Sequence, residues 1–192
     1  MHIKTVILAA GQGTRMRSAK PKVLHKIADR ALLHHVYDTS RQLENNSVVI
    51  VYGHGGELVK EQLQSLDTHW VEQKQQLGTG HAVQQAEEYI NADDTVLILY
   101  GDVPLLKKTT IAKLLESVSQ TAIGLLTVEL DNPTGYGRIV RSAEGAVIKI
   151  VEEKDANDEE KLITEGNTGI IATPGNLLTQ WLSKLGNSNA QG

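Results

Sequence analysis

Short apolar runs alternate with longer stretches of helical period over the first two thirds of the chain. Ile3 to Ala9 is a continuous run rich in β-branched residues that stops at Gly11, the pattern of a strand buried on both faces. Leu32, Leu33, Val36, Tyr37 and Leu43 then recur with a helical period. Ser47 to Tyr52 predicts a second strand, stopped by Gly53, and Glu57 to Leu66 a helix. His69 to Val71 suits a short strand, and Thr79 to Tyr89 a helix with Thr79 as its N-cap. Thr95 to Tyr100 predicts a third strand, ended by Gly101-Asp102. Thr109 to Val118 predicts a helix with Ile111, Leu114, Leu115 and Val118 on one face.

This rhythm predicts an α/β fold: a mostly parallel sheet with helices on both faces. Such sheets bind ligands beyond the carboxyl ends of their strands. Gly11 and Gly101-Asp102 both fall at such ends, so two motifs distant in sequence are expected to meet in one crevice.

The character changes after the last of these helices. Ile123–Leu130, Gly137–Arg141, Ala146–Glu152 and Thr168–Ala172 read as strands joined by turns, with Glu144-Gly145 as a hairpin signal. This half is expected to extend the sheet, making it mixed, and to carry a separate binding surface. The acidic stretch Glu152 to Glu160 reads as a solvated loop, and the end, Gly186 to Gly192, is polar and turn-like. No internal repeat is evident.

Composition narrows the function classes. A chain of 192 residues suits one domain, taken as 1–192. Phe is absent, so Leu, Ile and Val must build the core. A net charge of -4 gives no basic surface for nucleic acid. The lack of cysteine excludes disulfides and thiolate metal sites. The run Val6 to Ala10 is too short for a secretory signal, and no apolar run reaches the roughly 18 residues of a membrane span. The expectation is a cytoplasmic enzyme or binding domain with no membrane partner.

Several segments are equipped for chemistry. Leu8-Ala9-Ala10-Gly11-Gln12-Gly13-Thr14-Arg15-Met16 leads from a strand into two glycines, a hydroxyl and an arginine, and Lys22 follows. Glycines let phosphates approach backbone amides, and Arg15 and Lys22 supply mobile positive charge. The loop lacks the Gly-Lys-Ser/Thr of a Walker A sequence, and Met16 occupies the third glycine position of a dinucleotide fingerprint. A plain strand-to-helix turn with surface charges explains two glycines equally well.

Gln73, Gln76, Leu77, Gly78, Thr79, Gly80 and His81 form a second cluster, in which a glutamine amide offers both the donor and the acceptor that a uracil or thymine edge requires. A polar loop capped by Thr79 is the plainer reading. Tyr100-Gly101-Asp102 ends the third clear strand, where a carboxylate suits Mg²⁺ alongside substrate phosphates or else caps a helix. Gly137, Glu152 and Asn167 lie in segments suited to sugar hydroxyls and an acetamido group, though each segment also reads as a turn. The seven histidines show no convincing metal pattern, and His34 and His35 point in different directions on a helix.

Taken together, LAAGQGTRM, PKVLH, VYGHGG, QLGTGHA, LYGDVPL, GLLTVELDNPTGYGRIV, EEKDA and NTGI closely resemble the uridylyltransferase domain of a bacterial bifunctional family. That family joins N-acetylglucosamine-1-phosphate uridylyltransferase to glucosamine-1-phosphate acetyltransferase. The glycine loop is shared by many sugar nucleotidyltransferases; QLGTGHA, LYGDVPL and DNPTGYGRI are far more specific.

The resemblance implies a Rossmann-like nucleotidyltransferase fold. It implies that Leu8, Ala9, Ala10 and Gly11 line the nucleotide pocket, that Gln73, Gly78 and Thr79 read the uracil with Gln76 beside them, and that Arg15 and Lys22 hold triphosphate oxygens. Tyr100, Gly101 and Asp102 would lie between nucleotide and sugar, with Asp102 binding Mg²⁺. Gly137, Glu152 and Asn167 would contact the sugar. The implied substrates are UTP and N-acetylglucosamine 1-phosphate, and the products are UDP-N-acetylglucosamine, for cell-wall precursor synthesis, and pyrophosphate.

The family's domain runs on beyond Gly192 and supplies a further metal-binding asparagine. A β-helical acetyltransferase domain then drives homotrimer formation. The sequence is therefore expected to be a transferase domain incomplete at its C-terminus. The competing expectations are a fragment that binds UDP-N-acetylglucosamine with little turnover and a related transferase of other base or sugar. A nicotinamide dehydrogenase is disfavoured by the missing third glycine.

Overall fold

The computed structural model describes residues 2–11, 18, 20–53 and 56–186. Among them the elements are β1 (His2–Ala9), β2 (Lys26–Ile27), β3 (Arg30–Ala31), α1 (Leu32–Arg41), β4 (Asn46–Gly53), α2 (Glu57–Gln62), β5 (His69–Gln73), α3 (Thr79–Gln84), β6 (Asp94–Tyr100) and α4 (Lys108–Glu116). After them come β7 (Gly124–Glu129), β8 (Gly137–Arg141), β9 (Val147–Val151), α5 (Asp158–Lys161), β10 (Glu165–Pro174) and α6 (Gly175–Leu182). The chain divides into two compact units, residues 1–124 with 172–192, and residues 125–171.

In the first unit β5, β4, β1 and β6 lie side by side, all parallel. β1, β4 and β6 are buried on both sides over most of their length, which is why their sequences read as largely apolar runs, whereas the edge strand β5, His-Trp-Val-Glu-Gln, is buried only at Gln73. Val6 and Leu8 of β1, Val49 and Val51 of β4, and Val96 and Ile98 of β6 share one face. They pack with Ala82, Val83 and Ala86 around α3 and with Leu178 and Leu182 of α6. Ile7, Ile50, Leu97 and Leu99 alternate to the opposite face, and α1 packs on β1 and β4 there. Helices thus cover both faces, as the pattern predicts.

The second unit is antiparallel where β10, β8 and β9 pair, and β7 also pairs with β10. The β8–β9 connection is the expected hairpin: Gly145 has φ +85° and its N–H donates to the Ser142 carbonyl at 3.0 Å.

The structure departs from the sequence reading in several places. The predicted helix from Thr79 stops at Gln84, followed by a turn of 3-10 helix at Glu87–Tyr89. Its N-cap is Gly78 rather than Thr79, with φ +96°, a conformation that glycine reaches without strain. The acidic stretch folds at its end into α5, with a capping box in which Asn157 and Glu160 satisfy each other's backbone N–H groups. The small β2–β3 hairpin and α6 carry no strong sequence signal. The hairpin turns through Ala28 and Asp29, both at positive φ, without the glycine that usually announces such a turn. Among the described residues no helix is long and apolar enough to cross a membrane.

Candidate functional site

The first unit holds a cavity of about 440 Å³ at the carboxyl ends of its parallel strands. Leu8, Ala9, Ala10 and Gly11 line it from the end of β1, and Tyr100 and Asp102 from the end of β6. Gln73, Gln76, Gly78 and Thr79 line it from the segment between β5 and α3. Lys22, Val23 and Ala82 complete the wall. Motifs ninety residues apart in sequence meet because β1 and β6 are adjacent and parallel, with Leu8 opposite Tyr100. Arg15 lies outside the described residues.

Local packing explains these positions. The Gly101 N–H donates to the Leu8 carbonyl at 2.9 Å, which joins the two strand ends. A Cβ at Gly101 would come within 3.0 Å of Leu33 Cδ1 and 3.2 Å of Val23 Cγ1, so a larger residue would push the core apart. Lys22 opens a short 3-10 turn, Lys22–Leu24, fastened by the buried Val23 and Leu24. That anchor leaves the lysine head at the cavity. Its Nζ sits 2.6 Å from Asp102 Oδ2, with 43% of the lysine side chain and 28% of the aspartate exposed.

The segment between β5 and α3 is tied down twice. Gln76 Nε2 donates to the Ala10 carbonyl at 2.8 Å, which joins it to the end of β1. Gly53 makes room for this tie: a Cβ there would fall 2.5 Å from Gln76 Nε2 and 2.6 Å from the Ala10 oxygen. Gln73, only 3% exposed, donates through Nε2 to the Gly78 carbonyl at 3.1 Å and lies 3.0 Å from His81 Nδ1. Gly53 is not singled out as a site residue from sequence, although VYGHGG contains it, and His81 belongs to the second polar cluster but reads there as hydrogen-bonded or exposed, with no site role.

The residues that the sequence reading expects to meet the sugar, Gly137, Glu152 and Asn167, form a separate group in the second unit. Asn167 of β10 stands opposite Gly137 of β8 in register. On the other side of β8, Glu152 Oε1 lies 3.2 Å from where a Gly137 Cβ would be. The three make one row across the strands, with backbone at its centre, a carboxylate at one end and an amide at the other. A side chain at the centre would crowd the Glu152 carboxylate and Ile150 Cγ2, at 3.2 and 3.3 Å, and one of them would have to give way.

Behind the row, Arg138 is buried to 2% exposure. It donates to the Tyr136 carbonyl and pairs with Glu153 Oε2 at 2.8 Å. The same Glu153 oxygen accepts the Gly135 N–H at 3.1 Å. That backbone bond, and then the guanidinium, hold the Glu153 carboxyl below the ordinary carboxylate range.

No group of three or more His, Cys, Asp or Glu side chains among the described residues is arranged to hold a metal. Asp102 alone is nevertheless a suitable donor for Mg²⁺, which usually takes one or two carboxylates and completes its shell with phosphate oxygens and water.

Residues 5–156 match the family model described as the MobA-like NTP transferase domain. Over all 192 residues the chain is 57% identical to the Bifunctional protein GlmU of Methylococcus capsulatus and 58% identical to that of Pseudomonas fluorescens. In both cases it covers 42% of the relative, so it spans less than half the length of the curated relatives it matches. Among solved structures, that of UDP-glucose pyrophosphorylase complexed with UDP-glucose has a TM-score of 0.73 at 20% identity, over 98% of this chain and 83% of that one. At that identity the likeness is one of fold, and it is the nucleotidyltransferase fold expected from the sequence. The match over residues 5–156 shows the family itself: the chain belongs to the MobA-like NTP transferases.

Proposed function

We infer that this chain carries out nucleotidyl transfer from UTP to N-acetylglucosamine 1-phosphate, giving UDP-N-acetylglucosamine and pyrophosphate. The carrying observation is that one strand-end cavity gathers the glycine-loop base, the Gln73–Thr79 segment and the Lys22–Asp102 pair. These are a floor of backbone, a base reader and a phosphate-handling pair. The identity to relatives named Bifunctional protein GlmU supports the particular base and sugar.

A phosphate oxygen of the sugar phosphate attacks the α-phosphorus of UTP. The bond from that phosphorus to the bridging oxygen breaks, and pyrophosphate leaves with the electron pair. The nucleophile is already anionic, so no strong general base is required. Positioning and charge neutralisation carry the rate. Lys22, with Arg15, would take triphosphate oxygens. When bound, Mg²⁺ would supply Lewis-acid charge neutralisation at the phosphates, with Asp102 as its protein ligand. Leu8 to Gly11 and Tyr100 to Gly101 would shape the nucleotide pocket. Gln73, Gly78 and Thr79 would read the uracil, Gln76 would hold the loop that presents them, and Gly137, Glu152 and Asn167 would take the sugar.

In this reading residues 1–192 are one transferase domain made of both units. A homotrimer and an acetyltransferase activity belong to the longer relatives as the resemblance implies them. A cytoplasmic place follows from the use of a nucleoside triphosphate.

The test is pyrophosphate release from this chain and from a longer version. UTP is compared with dTTP, and N-acetylglucosamine 1-phosphate with glucose 1-phosphate. Preference for UTP with the acetylated sugar supports the reading. Preference for dTTP or for the unacetylated sugar replaces it with another transferase, and tight UDP-N-acetylglucosamine binding without turnover reduces the chain to a binding module.

A further inference from the structure

We propose that His81 is a positioning residue for base selection: it locks the Gln73 carboxamide so that an oxygen, and not an N–H, faces the base. The proposal rests on the nucleotide reading of the cavity and specifies how that cavity tells one pyrimidine from another.

A backbone carbonyl only accepts, so the atom of Gln73 that lies 3.1 Å from the Gly78 oxygen must be its amide nitrogen. The same nitrogen lies 3.0 Å from His81 Nδ1. An NH₂ group has two protons, and these two acceptors use both. The Gln73 side chain lines the cavity, and Oε1 is the polar atom left to face a ligand there.

The lock fixes the state of His81 as well. To accept from Gln73, Nδ1 must carry the lone pair, which places the imidazole proton on Nε2. On that side of the ring is Gln85, whose nitrogen lies 3.2 Å from Nε2 and also donates to the His81 carbonyl at 3.1 Å. Both ring nitrogens of a neutral histidine cannot accept. The buried Gln73 cannot turn, whereas the half-exposed Gln85 can rotate to offer its oxygen to Nε2–H, giving up its side-chain bond to the His81 carbonyl, which keeps the Gln85 backbone N–H at 3.3 Å. The buried contact therefore decides the tautomer.

The consequence is chemical selectivity. Uracil carries an N–H at N3, which an oxygen acceptor satisfies. Cytosine has a lone pair at the same atom, which would face Oε1 as acceptor against acceptor. A Gln73 free to turn over would offer its NH₂ to cytosine instead. The Gly78 carbonyl holds one amide proton and His81 the other, so losing His81 leaves a buried N–H without a partner and loosens the orientation. Thymine also carries N3–H and is not rejected by this device.

The experiment measures kcat and KM for UTP and for CTP with saturating N-acetylglucosamine 1-phosphate, and UTP and CTP binding by calorimetry. The proteins are the wild-type chain, His81→Phe, which keeps a ring without an acceptor, and His81→Asn, whose Oδ1 can stand where Nδ1 stood. His81→Phe is expected to lower the UTP-to-CTP ratio in kcat/KM about threefold to tenfold, the worth of one hydrogen bond, mainly through the KM for UTP. His81→Asn is expected to recover most of the ratio. An unchanged ratio in His81→Phe, or a fall in kcat with the ratio intact, overturns the proposal. If His81→Phe does not fold, the ratio in His81→Asn decides: near the wild-type value it supports the lock, and collapsed in a folded protein it overturns it. A wild-type chain that binds neither nucleotide defeats the nucleotide reading itself, an outcome distinct from one that binds UTP and ignores His81.

Discussion

The two compact units make polar surfaces in opposite ways. In the first, the strand ends and loop backbone do most of it: Leu8 to Gly11 and Gly101 line or adjoin the cavity over a sheet buried on both faces. In the second, side chains in a row across a pleated face do it, and charge holds the strands. Arg138 pairs with Glu153, Arg141 forks onto Glu165 at 2.7 and 2.6 Å, and Lys149 meets Glu160 at 2.6 Å. Much of β9 is exposed, including Val147, Ile148 and Ile150. A surface made at strand ends is only as firm as the core that fixes those ends. A surface made across a thin sheet depends on its ion pairs and on the one position kept free of a side chain.

The largest effect should come from the buried sheet. Leu97, in the middle of β6, is fully buried. Leu97→Ala should lower stability by about 3 kcal/mol, within the usual range for a leucine cavity, as read by urea denaturation. Amide exchange should quicken in β1, β4 and β6 more than in β8 and β9. Equal loss of protection in both units would erase the distinction drawn between them.

Next is Lys22→Ala. The side chain is 43% exposed, so the fold should survive, while turnover should fall by more than tenfold, about 1.4 kcal/mol of transition-state stabilisation. Near-normal kinetics would reduce the Lys22–Asp102 pair to an ordinary surface ion pair, worth about 0–1 kcal/mol.

Gly137→Ala probes the other unit. The new methyl would stand 3.2 Å from Glu152 Oε1 and 3.3 Å from Ile150 Cγ2, so the carboxylate must tilt. The KM for sugar phosphate should rise about threefold to tenfold while UTP binding stays as it was. A matching loss of UTP affinity would show that the row does not serve the sugar alone.

The sequence made much of this readable, and the exceptions have physical reasons. Three of the parallel strands of the first unit, β1, β4 and β6, were legible because burial on both faces demands continuous apolar runs, as in Val48 to Val51 and Val96 to Leu99, while the edge strand β5 showed only as the short stretch His69 to Val71. The convergence of Gly11 with Asp102 followed from strand polarity alone. The Glu152–Gly137–Asn167 row was another matter: each residue was nameable by resemblance, but register sets their adjacency, and register is not written in any one strand. The 3-10 turn after Gln84 and the short hairpin at Lys26 to Ala31 were hidden because tertiary packing, not local propensity, holds them. His35 Nε2, for example, pairs with the Ile27 carbonyl at 2.8 Å. Gly53 reads as a strand stop; that it also leaves room for Gln76 against Ala10 needs three segments to be seen together.

The smallest effect sharpens the comparison through pH. Four carboxylates of the second unit are held below their ordinary range: Glu153 by the Gly135 N–H and then Arg138, Glu160 by Lys149 and the Asn157 N–H, Glu165 by Arg141, and Glu144 by the Ser142 hydroxyl and its own N–H. A carboxyl with a lowered folded value binds fewer protons folded than unfolded, so unfolding takes up protons as the pH drops. The stability these groups give is therefore complete above the unfolded value, near 4.5, and drains away as the pH falls through the lower folded values. Glu144 is exposed, and the Lys149 and Arg141 partners of Glu160 and Glu165 are about half exposed, so water and salt weaken these contributions, while Glu153 against the buried Arg138 is screened least. Hydrogen exchange followed from pH 6 down to pH 3 should show β8 and β9 losing protection before β1, β4 and β6, and added salt should bring that loss to higher pH. Glu153→Gln should weaken the second unit at neutral pH, because Arg138 is left buried without its partner, and should flatten the acid dependence that remains. If both units instead lose protection together at every pH, with Glu153→Gln following the same course, charge does not hold the second unit separately, and the contrast between its ion pairs and the apolar core of the first fails.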